Sequence, residues 1–259
     1  MRPILVQWGP FALHAYSVCM VSGVVLVGWL GWREAARRGR LNDDTMTIGV
    51  IGLLGGVVGA NVGMVMFLGP ATFWELLPTI PVAGNTLMGA LIGGYVAVVV
   101  AERFLKPERC FGDLIAPFMP LGLAIGRIGN LLAGDAYGIP TDLPWGIEMA
   151  GDVRHPVQLY EALLDLGLAA YLMRRRYTSF QDGELFRTFA VGYALIRFPM
   201  EFLRYQPTPV PFLGLTLVQW LCIAALLGFG YQLVMNRMGK ACVCDLLPKR
   251  ASRETRGVP

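Results

Sequence analysis

The residues with chemical potential in this chain are ionisable or amide side chains set inside apolar runs. Arg127 and Asn130 stand three apart in one such run, which puts them on one face of a helix. Tyr193, Arg197, Glu201 and Arg204 follow at spacings of four, four and three in another. Gln158, Glu161 and Asp165 repeat the pattern in a third, and His14 and Tyr16 lie near the outer end of the first. A guanidinium near the middle of a membrane-spanning helix costs about 2.5–3.5 kcal/mol on insertion scales, so it faces a partner, water or a ligand. Two arginines against few carboxylates suit an anion, and Arg grips phosphate through paired hydrogen bonds. The head group of an outer-leaflet phospholipid is the natural candidate. The competing reading is a network of buried ion pairs that holds no ligand.

The elements that must position these groups are membrane spans. The 259 residues are 55% apolar and only 15% charged, with a mean hydropathy of +0.53. A soluble domain of this size would need more charge to cover its surface. Seven runs are long enough to cross a bilayer, near 11–32, 46–68, 84–103, 112–134, 157–173, 186–204 and 212–235. The predicted class is all-α: a polytopic membrane protein with seven transmembrane helices.

Basic residues set the orientation. Arg33, Arg37, Arg38 and Arg40, then Arg103, Lys106 and Arg109, then Arg174, Arg175, Arg176 and Arg187, and finally the basic tail all fall on one side of seven spans. This predicts an outside N-terminus and a cytoplasmic C-terminus. Arg127, Asn130, Arg197, Glu201, His14, Tyr16, Gln158 and Glu161 then share the outer half of the bilayer. A single membrane domain is expected over 1–240, with a proline-rich outer interfacial segment at 70–83 and an outer cap at 135–156. The tail 241–259 reads as disordered. The opening run carries no basic leader and no small-residue cleavage site, so no cleavable signal peptide is expected. Gly55, Gly59 and Gly63 are four apart and predict close helix packing. The five cysteines read as reduced thiols without a shared task.

Several ordered blocks resemble the prolipoprotein diacylglyceryl transferase family. Gly126-Arg127-Ile128-Gly129-Asn130 with Gly134-Asp135-Ala136-Tyr137-Gly138 resembles its signature segment. Arg154-His155-Pro156-Val157-Gln158-Leu159-Tyr160-Glu161 is similar to a second block, and Gly192-Tyr193 with Arg197, Glu201 and Arg204 to a third. Leu13-His14-x-Tyr16 after Gly9-Pro10 matches the first span. The resemblance implies transfer of the diacylglyceryl group of phosphatidylglycerol to a lipobox cysteine thiol near the signal peptide of a prolipoprotein. It places the protein in the bacterial plasma (inner) membrane with an extracytoplasmic site. Neither metal, cofactor nor nucleic acid is expected.

The roles it implies are as follows. Arg127 and Arg197 bind the phosphate and stabilise its charge as the carbon–oxygen bond breaks. Asn130, Tyr16 and Tyr193 hydrogen-bond the head group, and Glu201 holds Arg197. His14, Gly138, Glu161 and Arg204 complete the substrate-binding set. Asp135, His155, Glu161 and His14, in that order, are candidate proton acceptors. Departures from the family pattern are Met88, where a histidine is expected, Asn61, where an arginine is common, and Ala133 and Asp135 in the signature segment. Methionine cannot accept a thiol proton. A non-catalytic phospholipid-binding protein of the same fold, or a transferase with another acceptor, is therefore the second reading. A transporter is disfavoured, because no internal repeat is visible.

Overall fold

The structure, a computed structural model, describes residues 4–8, 11–68, 86–105, 107, 110–205 and 213–237. The interfacial segment expected at 70–83 and the tail 241–259 lie outside them. The chain is mostly helical, as expected. Its helices are α1 (Ala15–Arg37), α2 (Asp43–Leu68), α3 (Leu87–Leu105), α4 (Gly112–Ile115), α5 (Met119–Ala133), α6 (Val157–Arg175), α7 (Glu184–Leu203) and α8 (Leu217–Arg237). Two antiparallel hairpins add to the all-α expectation: β1 (Ile4–Trp8) with β2 (Phe11–His14), and β3 (Ile147–Met149) with β4 (Asp152–Arg154).

α1, α2, α3 and α8 are long and apolar enough to cross a membrane, and α5 is a shorter apolar helix. Two expected spans are drawn differently. The apolar run begins at residue 11, but residues 11–14 pair with β1 and the helix begins at Ala15. Apolar content alone does not separate a strand from a helix over so short a run. The run 112–134 is broken into α4 and α5. Pro117 lies in the break and Pro120 in the first turn of α5, where a proline is suited because it lacks the N–H that continuation of a helix needs.

The chain divides into two compact units, one reaching Glu34 and resuming at Asp113, the other running Ala35–Gly112. In the second unit α2 packs on α3 through small residues. A Cβ on Gly59 would strike the carbonyl oxygen of Gly89, and one on Gly55 would come 2.9 Å from that of Gly93. The glycine stripe thus lets two backbones meet, as its spacing predicts. Asn61 donates to the Val57 carbonyl of its own helix at 2.8 Å.

In the first unit α6 packs between α5 and α7, and α7 packs on α8. α1 approaches α5 where Gly23 faces Gly122 and Cys19 faces Gly129. At one end of the unit the Asp113 carboxylate accepts the backbone N–H groups of Gly183 (2.5 Å) and Phe186 (3.0 Å), which caps α7. Glu34 pairs with Arg176 at 3.2 Å at that end. The functional candidates gather elsewhere in the same unit.

α6 and α7 invert the soluble pattern. Gln158, Glu161, Asp165, Arg187, Arg197 and Glu201 are buried, while Leu163 is 68% and Leu195 58% exposed. Such helices would expose apolar side chains to water at a cost, and gain by facing lipid.

Candidate functional site

α5 ends where the site needs it to. Gly134 adopts a left-handed conformation (φ 73°), and its N–H reaches back to the carbonyls of Asn130 and Leu131. That closure stops the helix within two turns of Arg127 and throws the chain into the cap. Asp135 follows; its Oδ1 accepts the N–H of Ala136 at 2.6 Å, and its carbonyl accepts from Gln158 Nε2 at 2.7 Å.

The centre is a chain of ion pairs across three helices. Arg127 Nε (α5) lies 2.7 Å from Glu161 Oε2 (α6). Arg197 Nη1 (α7) donates to Glu161 Oε1 at 2.9 Å, and its Nη2 reaches Glu201 Oε2 at 2.5 Å. The Thr216 hydroxyl donates to Glu201 Oε1 at 3.2 Å. Arg127 and Arg197, widely separated in sequence, therefore meet at the two oxygens of one carboxylate. Each carboxylate–guanidinium contact is charge-assisted and fixes geometry in a low-dielectric setting.

The network exists but is not closed. Among the described residues Arg127 bonds only through Nε, leaving both terminal amino groups without a protein partner. Arg204 has no side-chain hydrogen bond or ion pair there, yet it lies in the electrostatic field of Arg197, Arg127, Glu161 and Glu201. The Tyr193 hydroxyl and both oxygens of Asp165 are buried without hydrogen-bond partners among the described residues. Asp165 is 1% exposed and feels the charges of Arg127, Glu161 and Arg197. Tyr193 stacks on Phe189 at 6.0 Å, which marks the apolar limit of the cluster. Buried polar groups without partners cost about 1–3 kcal/mol each, so several in one place mark a site rather than a core. The guanidinium groups of Arg127, Arg197 and Arg204 face the carboxyl groups of Glu161, Asp165 and Glu201. That is a closer balance than the sequence suggests, because Asp165 belongs to the cluster.

Around this centre stands the cap. Gly138 bridges to Arg204, and its N–H donates to the His155 carbonyl at 3.1 Å. A Cβ at Gly138 would fall 2.6 Å from the His155 carbonyl oxygen, so only glycine fits. Arg154 lies 4.9 Å from the ring centroids of both Tyr137 and Tyr205, which stack on each other at 5.7 Å. It also donates to the carbonyls of Met149 (3.1 Å) and Gly138 (3.3 Å) and pairs with Asp152 at 2.6 Å. His155 Nδ1 is 3.4 Å from the Tyr160 hydroxyl, which also accepts from Trp145 Nε1 at 2.8 Å.

Of the residues singled out from sequence, Arg127, Glu161, Tyr193, Arg197 and Glu201 form the buried centre, and Arg204 adjoins it. Tyr16 lies in the field of Arg127 and Asp135. Asn130 is one turn from Arg127, half-buried and without a side-chain partner among the described residues. Gly138 and His155 belong to the cap, Asp135 is exposed beside it, and His14 is exposed at the end of β2. Asn61 and Met88 fall in the other unit.

Sequence reasoning assigns no role to several contributors. Asp165 is visible as one more member of the α6 stripe. Arg154 is visible within a motif, but its ring stacking needs Tyr205 from beyond α7. Thr216 and Gln219 carry a legible signal: Thr216-x-x-Gln219 is a capping box, with Thr216 N donating to Gln219 Oε1 (2.9 Å) and Gln219 N to Thr216 Oγ1 (3.2 Å).

The chain is similar to known proteins over nearly its whole length. The family model described as prolipoprotein diacylglyceryl transferase matches residues 3–235. A phosphatidylglycerol–prolipoprotein diacylglyceryl transferase of Bordetella parapertussis is 33% identical, over 91% of this chain and 95% of its own length. The proteins of that name from Rhodospirillum rubrum (34% identical; 92% and 93%) and Solidesulfovibrio magneticus (34%; 91% and 94%) are similarly related.

Proposed function

This chain belongs to the prolipoprotein diacylglyceryl transferase family, a family of membrane transferases, and we propose accordingly that it transfers the diacylglyceryl group of phosphatidylglycerol to the thiol of a lipobox cysteine in a prolipoprotein. A sulfur–carbon bond forms at the terminal glycerol carbon, the carbon–oxygen bond to phosphate breaks, and glycerol phosphate leaves. The thiol proton passes to a base and then to the departing phosphate or solvent.

The observation that supports this reading best is the set of unused donors at the centre. Arg127 keeps two terminal amino groups free of protein partners among the described residues, and Arg204 its whole guanidinium. Together they offer a fork for a phosphodiester. Arg197, bonded to Glu161 and Glu201, holds both carboxylates in place and adds its charge to the field at the leaving oxygen. Asn130, Tyr16 and Tyr193 supply neutral hydrogen bonds to the head group. Gly138, Asp135, His155 and His14 complete the outer rim of the site in this reading.

The protein crosses the bacterial plasma membrane seven times in this reading, with its N-terminus outside and its C-terminus cytoplasmic. The buried charges and exposed leucines of α6 and α7 support counting them as spans despite their polarity. The site then faces the extracytoplasmic leaflet.

The test is an assay in vesicles containing phosphatidylglycerol with a lipobox peptide, read as a mass gain of one diacylglyceryl unit. Turnover by the native protein and its loss in Arg127→Ala are expected. Turnover that persists in both Arg127→Ala and Arg197→Ala overturns the assigned roles. Copurifying phosphatidylglycerol with no mass gain selects the non-catalytic lipid-binding reading, which Met88 and Asn61 favour. Turnover that appears only in Met88→His does the same.

A further inference from the structure

A displacement at carbon imposes a direction on the site. The attacking sulfur must approach opposite the leaving oxygen, in line with the bond that breaks. In an outer-leaflet phospholipid the phosphate lies outward and the diacylglyceryl carbon lies one bond nearer the bilayer centre. The sulfur therefore comes from the membrane side of that carbon, and the group that takes its proton belongs on that side too.

The sequence-derived candidates do not occupy this place. Asp135 is exposed past the end of α5, with an oxygen on the Ala136 N–H. His155 belongs to the cap, beside Tyr160, and His14 is exposed before α1. Glu161 is held by two guanidinium groups. Asp165 is one helical turn further along α6, which is about 6 Å at 1.5 Å per residue. On the inward course of α6 this is the bilayer side of the arginine layer. Both of its oxygens are buried and without a hydrogen-bond partner among the described residues. Its charged and titratable neighbours are Arg127 from α5, Glu161 from its own helix, and Arg197 and Tyr193 from α7.

We propose that Asp165 is the general base of the transfer, receiving the proton of the acceptor thiol as the sulfur attacks the diacylglyceryl carbon. The sulfur–hydrogen bond breaks as the sulfur–carbon bond forms, and the proton joins an Asp165 oxygen. The electron pair of the broken carbon–oxygen bond stays on the phosphate, which Arg127 and Arg204 hold. Afterwards the proton leaves Asp165 for the released phosphate or for solvent. The Tyr193 hydroxyl, also without a hydrogen-bond partner among the described residues, shares the field of Asp165. A base at this position also makes the methionine at 88 compatible with turnover. The inference rests on the transferase reading.

The experiment compares a cysteine lipobox peptide with its selenocysteine counterpart, whose selenol is already ionised at neutral pH, in vesicles containing phosphatidylglycerol. Turnover of the cysteine peptide by the native protein tests the transferase reading by itself. For the base, Asp165→Asn should lower kcat with cysteine by about 10²–10⁴-fold while KM for the lipid stays nearly constant, and selenocysteine should recover most of the loss. Equal impairment with both peptides means a merely structural role and overturns the proposal. If Asp165→Asn does not accumulate folded, the native pH profile decides. A base-assisted rate levels off well below the free thiol pKa of about 8.5. A rate that climbs tenfold per pH unit up to that value shows thiolate formed without Asp165, and overturns it.

Discussion

Arg127 meets Glu161 side-on: Nε lies 2.7 Å from Oε2, so the contact uses the inner edge of the guanidinium and spares its outer fork. A lysine cannot divide its donors in this way. Arg127→Lys keeps the charge but gives up either the carboxylate or the phosphate. The expected loss is about 1.5–3 kcal/mol of transition-state binding, or roughly 10- to 100-fold in kcat/KM. Steady-state kinetics with a lipobox peptide checks it.

Glu161 is the common partner of two buried cations, whereas Glu201 binds Arg197 and the Thr216 hydroxyl. Glu161→Gln should destabilise the protein by about 3–5 kcal/mol, because removing one member of a buried pair strands the other charges. Glu201→Gln should cost less. Thermal unfolding of the two variants in detergent gives the ranking, and the reverse order would refute the shared-carboxylate geometry.

Arg154 ties the cap together through two aromatic rings, two carbonyls and Asp152. Arg154→Lys removes the planar fork and should cost about 1–3 kcal/mol. The loss should appear locally, as faster amide exchange at Ile139, Thr141, His155 and Tyr205, whose N–H groups bond within the cap or between the cap and the end of α7. Uniform exchange along the chain would contradict this role.

The α2–α3 contact offers a sharp control on packing. Gly59→Ala places a methyl against the Gly89 carbonyl, while a Cβ at Gly28 in α1 meets nothing within 4 Å. The first should destabilise by about 1–3 kcal/mol through overpacking. The second, Gly28→Ala, should be neutral or stabilising by up to about 1 kcal/mol, since alanine favours helix over glycine. Unfolding midpoints that fall equally in both variants would show that the stripe is not an interface.

The amino-acid order alone identifies which side chains must find an answer. Arg127, Glu161, Arg197 and Glu201 sit in apolar runs at helical spacing, and the cost of an unpaired charge in such surroundings makes them meet something. The glycine stripe of α2 announces its partner helix for a similar reason, since only small residues let backbones touch. The capping box Thr216-x-x-Gln219 marks the start of α8 by local hydrogen bonding. These are short-range consequences of period, polarity and backbone freedom, and a single chain carries them openly.

Who meets whom is a property of the folded molecule. Spacing cannot reveal that Arg127 and Arg197 share Glu161, that Arg154 packs against both Tyr137 and Tyr205, or that Asp113 caps a helix beginning near Gly183. Nor can it show that Asp165 receives no hydrogen bond among the described residues while Glu161, four residues earlier on the same helix, is held by two arginines. Periodicity fixes which face of a helix a residue occupies, but its partners depend on the rotation and depth of neighbouring helices. Those are set by packing across the whole unit.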